Sequence, residues 1–193
     1  KEQLDADCQK NRLDHERYNG ARHHARERTR IRQEILLGIG GVRLLEELKM
    51  RPTVVHMNEG HSAFLAIERI INTMQEHNLS FEEALHITSA GTVFTTHTPV
   101  PAGLERFGFD LIDEHFTPMF KELGLTRDQF IDLGRENMGG YELFSMPVLA
   151  LETSSASNGV SALHGEVSRE MYIQHIPQGI QQTERIRCQR PGI

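Results

Sequence analysis

The stretch VHMNEGHSAF, residues 55–64, crowds His56, Asn58, Glu59 and His61 between a β-branched run and an apolar helical pattern. A second polar group, Thr96 to Thr98 with His97 at its centre, closes the run TVFTTHT. Three chemistries use such residues: metal ligation, nucleophilic catalysis and recognition of a polar ligand. Zinc is disfavoured by order and spacing. His56 and His61 straddle Glu59 at a strand end, whereas H-E-x-x-H places both imidazoles on one helix face. No C-x-x-C accompanies them, and His23-His24 fits an exposed loop. Ser62 and Ser161 each stand near a histidine, but neither lies in G-x-S-x-G, and helix capping accounts for both. Imidazole and amide groups both donate and accept, as sugar hydroxyls require. Polyhydroxyl recognition fits these loops, which mark a polar edge for a small neutral or anionic molecule; a zinc-dependent hydrolase is the least favoured reading and no metal is expected.

These loops need elements to hold them. PTVVHM (52–57) is short, apolar and β-branched, as in a buried parallel strand. A helix follows, with Ala63, Ile67, Ile70, Ile71 and Met74 on one face. Ser80 and Glu83 form a capping box that starts another helix near Phe81, ending before Gly91. TVFT (92–95) is the next strand, followed by the loop THTPVPAG. The order predicts an α/β fold with a parallel sheet and a crossover. In open parallel sheets, ligands bind at the carboxyl edge of the strands. Asn58–His61 and Thr96–Pro101 are thus expected on one crevice, with His56 at its edge, packing or supporting the residues that line it.

Residues 30–50 are expected to be helical, burying Ile31, Ile35, Val42, Leu45 and Leu48 despite Gly38, Gly40 and Gly41. Each interior glycine costs about 1 kcal/mol relative to Ala, so close packing or a break is the expected cause. Residues 109–135 are expected to be helical, with a capping box from Thr126 to Gln129. ENMGGYE (136–142) is expected to be a loop, MPVLALETS (146–154) helical or extended, and SNGV (157–160) a turn or short strand. SALHGEVSREMY is expected to form a helix with Leu163, Val167 and Met171 on one face.

Composition narrows the class. The 193 residues carry a formal charge of −6, the wrong sign for neutralising phosphates on a nucleic acid. The mixed charges between Arg22 and Arg32 fit a solvated stretch. No apolar run approaches the roughly 18 residues of a membrane span. Cys8 and Cys188 make no disulfide framework, so a reducing, cytoplasmic setting is expected.

The strings RIRQEILLGIGGVRLLEEL, VVHMNEGHSAFLAIERI, TVFTTHTPVPAG, LGR (133–135) and NGVSALHGEVSR occur in this order. Together they resemble the α-glucan (glycogen/maltodextrin) phosphorylase family, in its bacterial and archaeal short-form branch, over about residues 28–172. The resemblance implies part of a Rossmann-like N-terminal domain of a GT-B-type glycosyltransferase. It implies release of glucose 1-phosphate from α-1,4-glucan or maltooligosaccharide by phosphate, with retention, and allows a homo-oligomeric full-length protein. It implies that His97 binds the reacting glucose near its 6-hydroxyl, with Thr98 beside it and Asn158 gripping the same hydroxyl. Asn58, Glu59 and His61 would form the acceptor-glucan lip, and Tyr18–Ala25 falls where the family has a gate loop. The family's pyridoxal 5'-phosphate is held as a Schiff base on a lysine of the C-terminal domain, and no lysine here follows Lys121. The expected organisation is a polar lead-in (1–29), a partial N-terminal domain (30–172) and an atypical, truncated tail (173–193). No catalytic residue is assigned. The chain is thus expected to be an internal fragment, inactive alone, with a non-catalytic glucan-binding module as the alternative.

Overall fold

The computed structural model describes residues 25–98, 104–173 and 186–188. Most of the polar lead-in and of the gate-loop segment, Cys8, and residues 99–103 of the second strand-end loop lie outside the described residues. The chain divides into two compact units, Lys1–Gln33 and Glu34–Ile193. The described part of the first, 25–33, is helical.

The second unit opens on helical residues 34–35, a π-helical turn Leu36–Gly40 and helix α1, Gly41–Glu47. Gly38 explains the glycines in part. A Cβ there would lie 2.7 Å from the backbone nitrogen of Leu65, so the backbones touch only because the side chain is absent. The expected apolar stripe is not fully buried. Val42 and Leu45 are half-buried, while Leu36, Leu37, Leu44 and Leu48 are exposed, Leu36 at 74%. The π-turn inserts an extra residue per turn and rotates the stripe away from where a uniform 3.6-residue period would put it.

Strand β1 (Val55–Asn58) leads through a 3-10 turn, Gly60–Ser62, into α2 (Leu65–His77) and α3 (Phe81–Ala90), and then β2 (Thr92–Thr96). Ala63, Ile67, Ile70 and Ile71 are buried, as their spacing predicts. The Ser80–Glu83 capping box forms and starts α3 at Phe81. Short β3 (Arg106–Phe107) precedes α4 (Phe109–Leu123). The predicted helical stretch 109–135 is two helices, because Gly124 adopts φ 68° and caps α4 before Thr126 starts α5 (Arg127–Asp132).

The ENMGGYE segment is more than a loop. β4 (Arg135–Asn137) and β5 (Glu142–Ser145) pair antiparallel, and β3 joins the other side of β5. Gly139 and Gly140, at φ 79° and 144°, reverse the chain between them. MPVLALE resolves as helix α6, Met146–Glu152, with Pro147 in its first turn, where the missing N–H costs nothing. SNGV lies largely in strand β6, Ala156–Gly159, followed by α7, Ala162–Ile173.

Helix α7 departs in part from the predicted face: Val167 is half-buried, and the Met171 side chain lies outside the described residues. Leu163 is 71% exposed, while His164, Gly165 and Ser168 are buried. Two glycines decide this. A Cβ on Gly159 would meet the Gly165 nitrogen at 2.7 Å, so β6 and α7 approach through bare backbone. The buried His164 Nδ1 and Ser168 Oγ sit 3.3 Å apart, one helical turn from each other.

The main sheet runs β1-β2-β6-β7, parallel throughout, with Ile186–Cys188 of the tail as β7. The α/β class and parallel sheet with a β1-to-β2 crossover agree with the sequence expectation. No described helix is long and apolar enough to cross a membrane.

Candidate functional site

Register assembles the site. Asn58 pairs with Thr95, and Thr95 with Asn158, so three polar residues occupy one row across β1, β2 and β6 near the carboxyl end of the strands. Paired residues of a parallel sheet share a face, and alternate residues along a strand return to it. His56 therefore joins Asn58 on this polar face. Met57 and Phe94, one residue out of step, turn to the opposite face and are fully buried. The period of two thus separates core from site within a four-residue strand.

Side chains tie the row together. The Nε2 of His56 lies 2.7 Å from Thr95 Oγ1, which donates to Asn158 Oδ1 at 2.9 Å. His97, just past β2, contacts Asn58 Oδ1 through Nε2. An amide oxygen only accepts, so the Nε2–H of His97 is the donor in this contact.

Glu59 links the two strand ends. Its N–H donates to the Thr95 carbonyl at 2.9 Å. One carboxylate oxygen accepts from the His97 backbone N–H and from the Thr98 hydroxyl, the latter at 3.1 Å. To do so the residue adopts φ 68° and ψ 176°, a conformation that side chains other than glycine rarely take. Such strain costs roughly 1–3 kcal/mol and persists where surroundings over-determine it. Here three hydrogen bonds and the following Gly60 do so. A Cβ on Gly60 would press to 3.0 Å on Met146 Cβ and on the Pro147 nitrogen, so α6 seats directly under the loop.

His61 goes elsewhere. Its Nδ1 faces Glu105 Oε2 at 3.0 Å, and Glu34 joins them with ligand atoms all within 4.8 Å. Among the described residues this trio could hold a metal ion, although the close His61–Glu105 contact also stands without one. The sequence-predicted residues Asn58, Glu59, His97 and Thr98 are thus brought into direct contact, and Asn158 joins through Thr95. His61 takes a separate partner two residues along the same lip.

Sequence reasoning passed over Thr95 and Glu105, and gave His56 a packing or supporting position without naming its partner. The alternation of His56 with Asn58 was the available signal for the first strand. Nothing local marks Glu105, which lies far along the chain from His61.

Most of the chain is similar to known proteins. Residues 40–192 match the family model described as carbohydrate phosphorylase. That span takes in the tail, including β7. The chain is 42% identical over 177 residues to maltodextrin phosphorylase of Thermococcus litoralis, covering 92% of this chain and 20% of the relative. It is 39% identical over 180 residues to glycogen phosphorylase of Mycobacterium tuberculosis, covering 88% and 21%. Glycogen phosphorylase of Aquifex aeolicus is 30% identical over 143 residues, covering 74% and 20%. The chain therefore spans about a fifth of the length of these relatives. With a matched family model across most of its residues, this chain belongs to the carbohydrate phosphorylase family.

Proposed function

We propose that the chain supplies the sugar-contacting part of an α-glucan phosphorylase that releases glucose 1-phosphate from α-1,4-glucan and phosphate in the cytoplasm. The observation that carries this reading is the polar row at the ends of three parallel strands, with Asn58, Glu59 and Thr98 built around His97. That edge is where open parallel sheets bind ligands. Its groups are neutral donors and acceptors around one carboxylate, suited to hydroxyls and not to a phosphate dianion.

In this reading His97, Thr98 and Asn158 bind the glucose unit at the chain end, and Asn58 and Glu59 orient His97 and Thr98. His61 serves the glucan further out, held by Glu105 at 3.0 Å. The domain is the N-terminal part of a GT-B-type enzyme. Pyridoxal 5'-phosphate, the family's cofactor, supplies phosphate chemistry when linked to a lysine. The described lysines do not fit it: Lys49 stands exposed in a left-handed turn after α1, and Lys121 is exposed on the last turn of α4. The cofactor and phosphate sites are assigned to residues outside this chain, and the chain alone is not expected to turn over. A glucan-binding module without catalysis remains the second reading, favoured by the same row.

Titration of the chain with maltoheptaose tests the sugar assignment. His97→Ala is expected to weaken binding by about tenfold, the loss of a hydrogen bond or two. Equal binding by both proteins would sink the assignment. Glucose 1-phosphate formed by the isolated chain would overturn the placement of catalysis elsewhere.

A further inference from the structure

The geometry points to a second ligand site, an apolar cavity at the amino end of β1 that takes a small amphipathic carboxylate on Arg69. It is built without the sugar row and stands whether or not glucans bind.

The cavity, of about 610 Å³, lies between α1, α2 and the start of β1. That is the size of a small-molecule site. Leu37, Val42, Leu45, Met50, Val55 and Leu65 give it apolar walls. The π-turn and α2 touch where a Cβ on Gly38 would lie 2.7 Å from the Leu65 nitrogen, and both residues border the cavity. Val55 opens β1 and Asn58 ends it. At about 3.3 Å per residue, the cavity wall at Val55 and the polar row at Asn58 stand roughly 10 Å apart along the strand.

Gly41, unlike Gly38, is required by no neighbour. A Cβ there would meet nothing within 4 Å, and its φ of −62° suits any side chain. Glycine inside a helix is unfavourable. Its effect here is to leave the cavity open, because Gly41 stands on the wall.

Arg69, also on the wall, supplies the charge. Its Nη1 donates to Thr92 Oγ1 at 2.6 Å and, more weakly, to the Thr88 carbonyl at 3.4 Å. Those bonds fix one end of the guanidinium and leave its Nε–Nη2 edge. Among the described residues no carboxylate pairs with Arg69. The acidic side chains on the same cavity have other partners: Glu76 takes Arg51 at 3.0 Å, and Glu46 takes the Asn72 amide. Burial holds the Arg69 guanidinium below its ordinary value, and an anion beside it would relieve that desolvation. Two parallel N–H bonds to a carboxylate fit the remaining edge. The apolar walls take the rest of the ligand. A small inorganic anion gains nothing from the walls, and a neutral alcohol gains nothing from the charge.

Calorimetric titration of the full 193-residue chain with octanoate, octanol and acetate decides the matter. At about pH 7 both acids are ionised. Octanoate has the charge and the apolar body, and the other two have one each. It is expected to bind about tenfold more tightly than octanol, through the charged hydrogen bonds, and at least tenfold more tightly than acetate, through the buried chain. Arg69→Gln should erase the preference over octanol while octanol itself binds within about twofold, far less than one hydrogen bond. A merely structural Arg69 would weaken both ligands together and leave the ratio unchanged, which overturns the proposal. Gly41→Leu enters the cavity from a position that collides with nothing. It should weaken octanoate and octanol together by about tenfold or more, with no fall in the unfolding midpoint. Undiminished octanoate binding by Gly41→Leu places the ligand elsewhere and overturns the proposal. So does an unaltered chain that binds octanoate no better than octanol, or not at all.

Discussion

The phenylalanine cluster and the strand-end row use side chains in opposite ways. Phe64, before α2, packs on Phe116 of α4 with ring centroids 4.4 Å apart. Phe130 of α5 lies 5.5 Å from Phe116 and 4.7 Å from Phe120, and stacks on Phe144 of β5 at 6.0 Å. Phe64, Phe116, Phe130 and Phe144 are all fully buried. Their contribution scales with area removed from water and is indifferent to direction. The row from His56 to Asn158 buries little apolar surface, depends on which atom donates, and adjoins Glu59 at positive φ. The first region holds elements together. The second gives up conformational freedom to present groups in fixed orientation. The difference predicts that damage to the cluster appears as lost stability, and damage to the row as lost recognition.

The largest test of that separation is Phe144→Ala. Removing a buried phenylalanine typically costs about 3–5 kcal/mol, the value expected here from denaturant unfolding. The ring also lies under Gly134, where a Cβ would meet it at 2.7 Å, so the space cannot be refilled from that side without backbone movement. Maltoheptaose affinity of the folded fraction should stay within about twofold, far less than one hydrogen bond. A parallel loss of affinity would break the separation.

Glu59→Gly is the intermediate test. Glycine tolerates the φ of 68°, releasing roughly 1 kcal/mol of strain, while its greater unfolded-state freedom offsets a similar amount. Unfolding free energy should therefore change by less than about 1 kcal/mol. Glucan affinity should fall, because the His97 N–H and the Thr98 hydroxyl lose their shared acceptor. Destabilisation comparable to Phe144→Ala would show that the carboxylate holds the fold and not the site.

The smallest effect is expected at the α3 cap, remote from both regions. The Ser80 backbone N–H and then its hydroxyl hold the Glu83 carboxyl below its ordinary range. A carboxyl depressed in the folded state stabilises above its unfolded pKa and loses that contribution as pH falls through the folded value. Ser80→Ala removes the hydroxyl and keeps the N–H. Its acid limb of stability against pH should be shallower than the parent's, with unchanged glucan binding. An identical acid limb would deny the hydroxyl its part.

Legibility followed the range of the interactions. The caps at Ser80 and Thr126 were readable because donor and acceptor lie three residues apart. The two strand-end loops were readable because β-branched runs precede them and parallel sheets bind ligands at that edge. The β4–β5 hairpin was not, since Gly139-Gly140 marks a turn without announcing that short flanks pair across it. The face of α7 was not either, because apolar spacing favoured Leu163 and Val167. Its orientation is set by two glycines, Gly159 and Gly165, that local patterning ignores.

By itself the sequence determined the α/β class, the family and which residue types stand at the strand ends, because each is written in local period or in ordered strings. Tertiary structure alone decided who partners whom. Register set Thr95 between Asn58 and Asn158 and put His56 on their face, and the turn after β1 brought His61 to Glu105. Those pairings join residues up to sixty-three positions apart. No local pattern encodes them, because a hydrogen bond depends on angstrom-scale distance and direction that only the assembled sheet supplies.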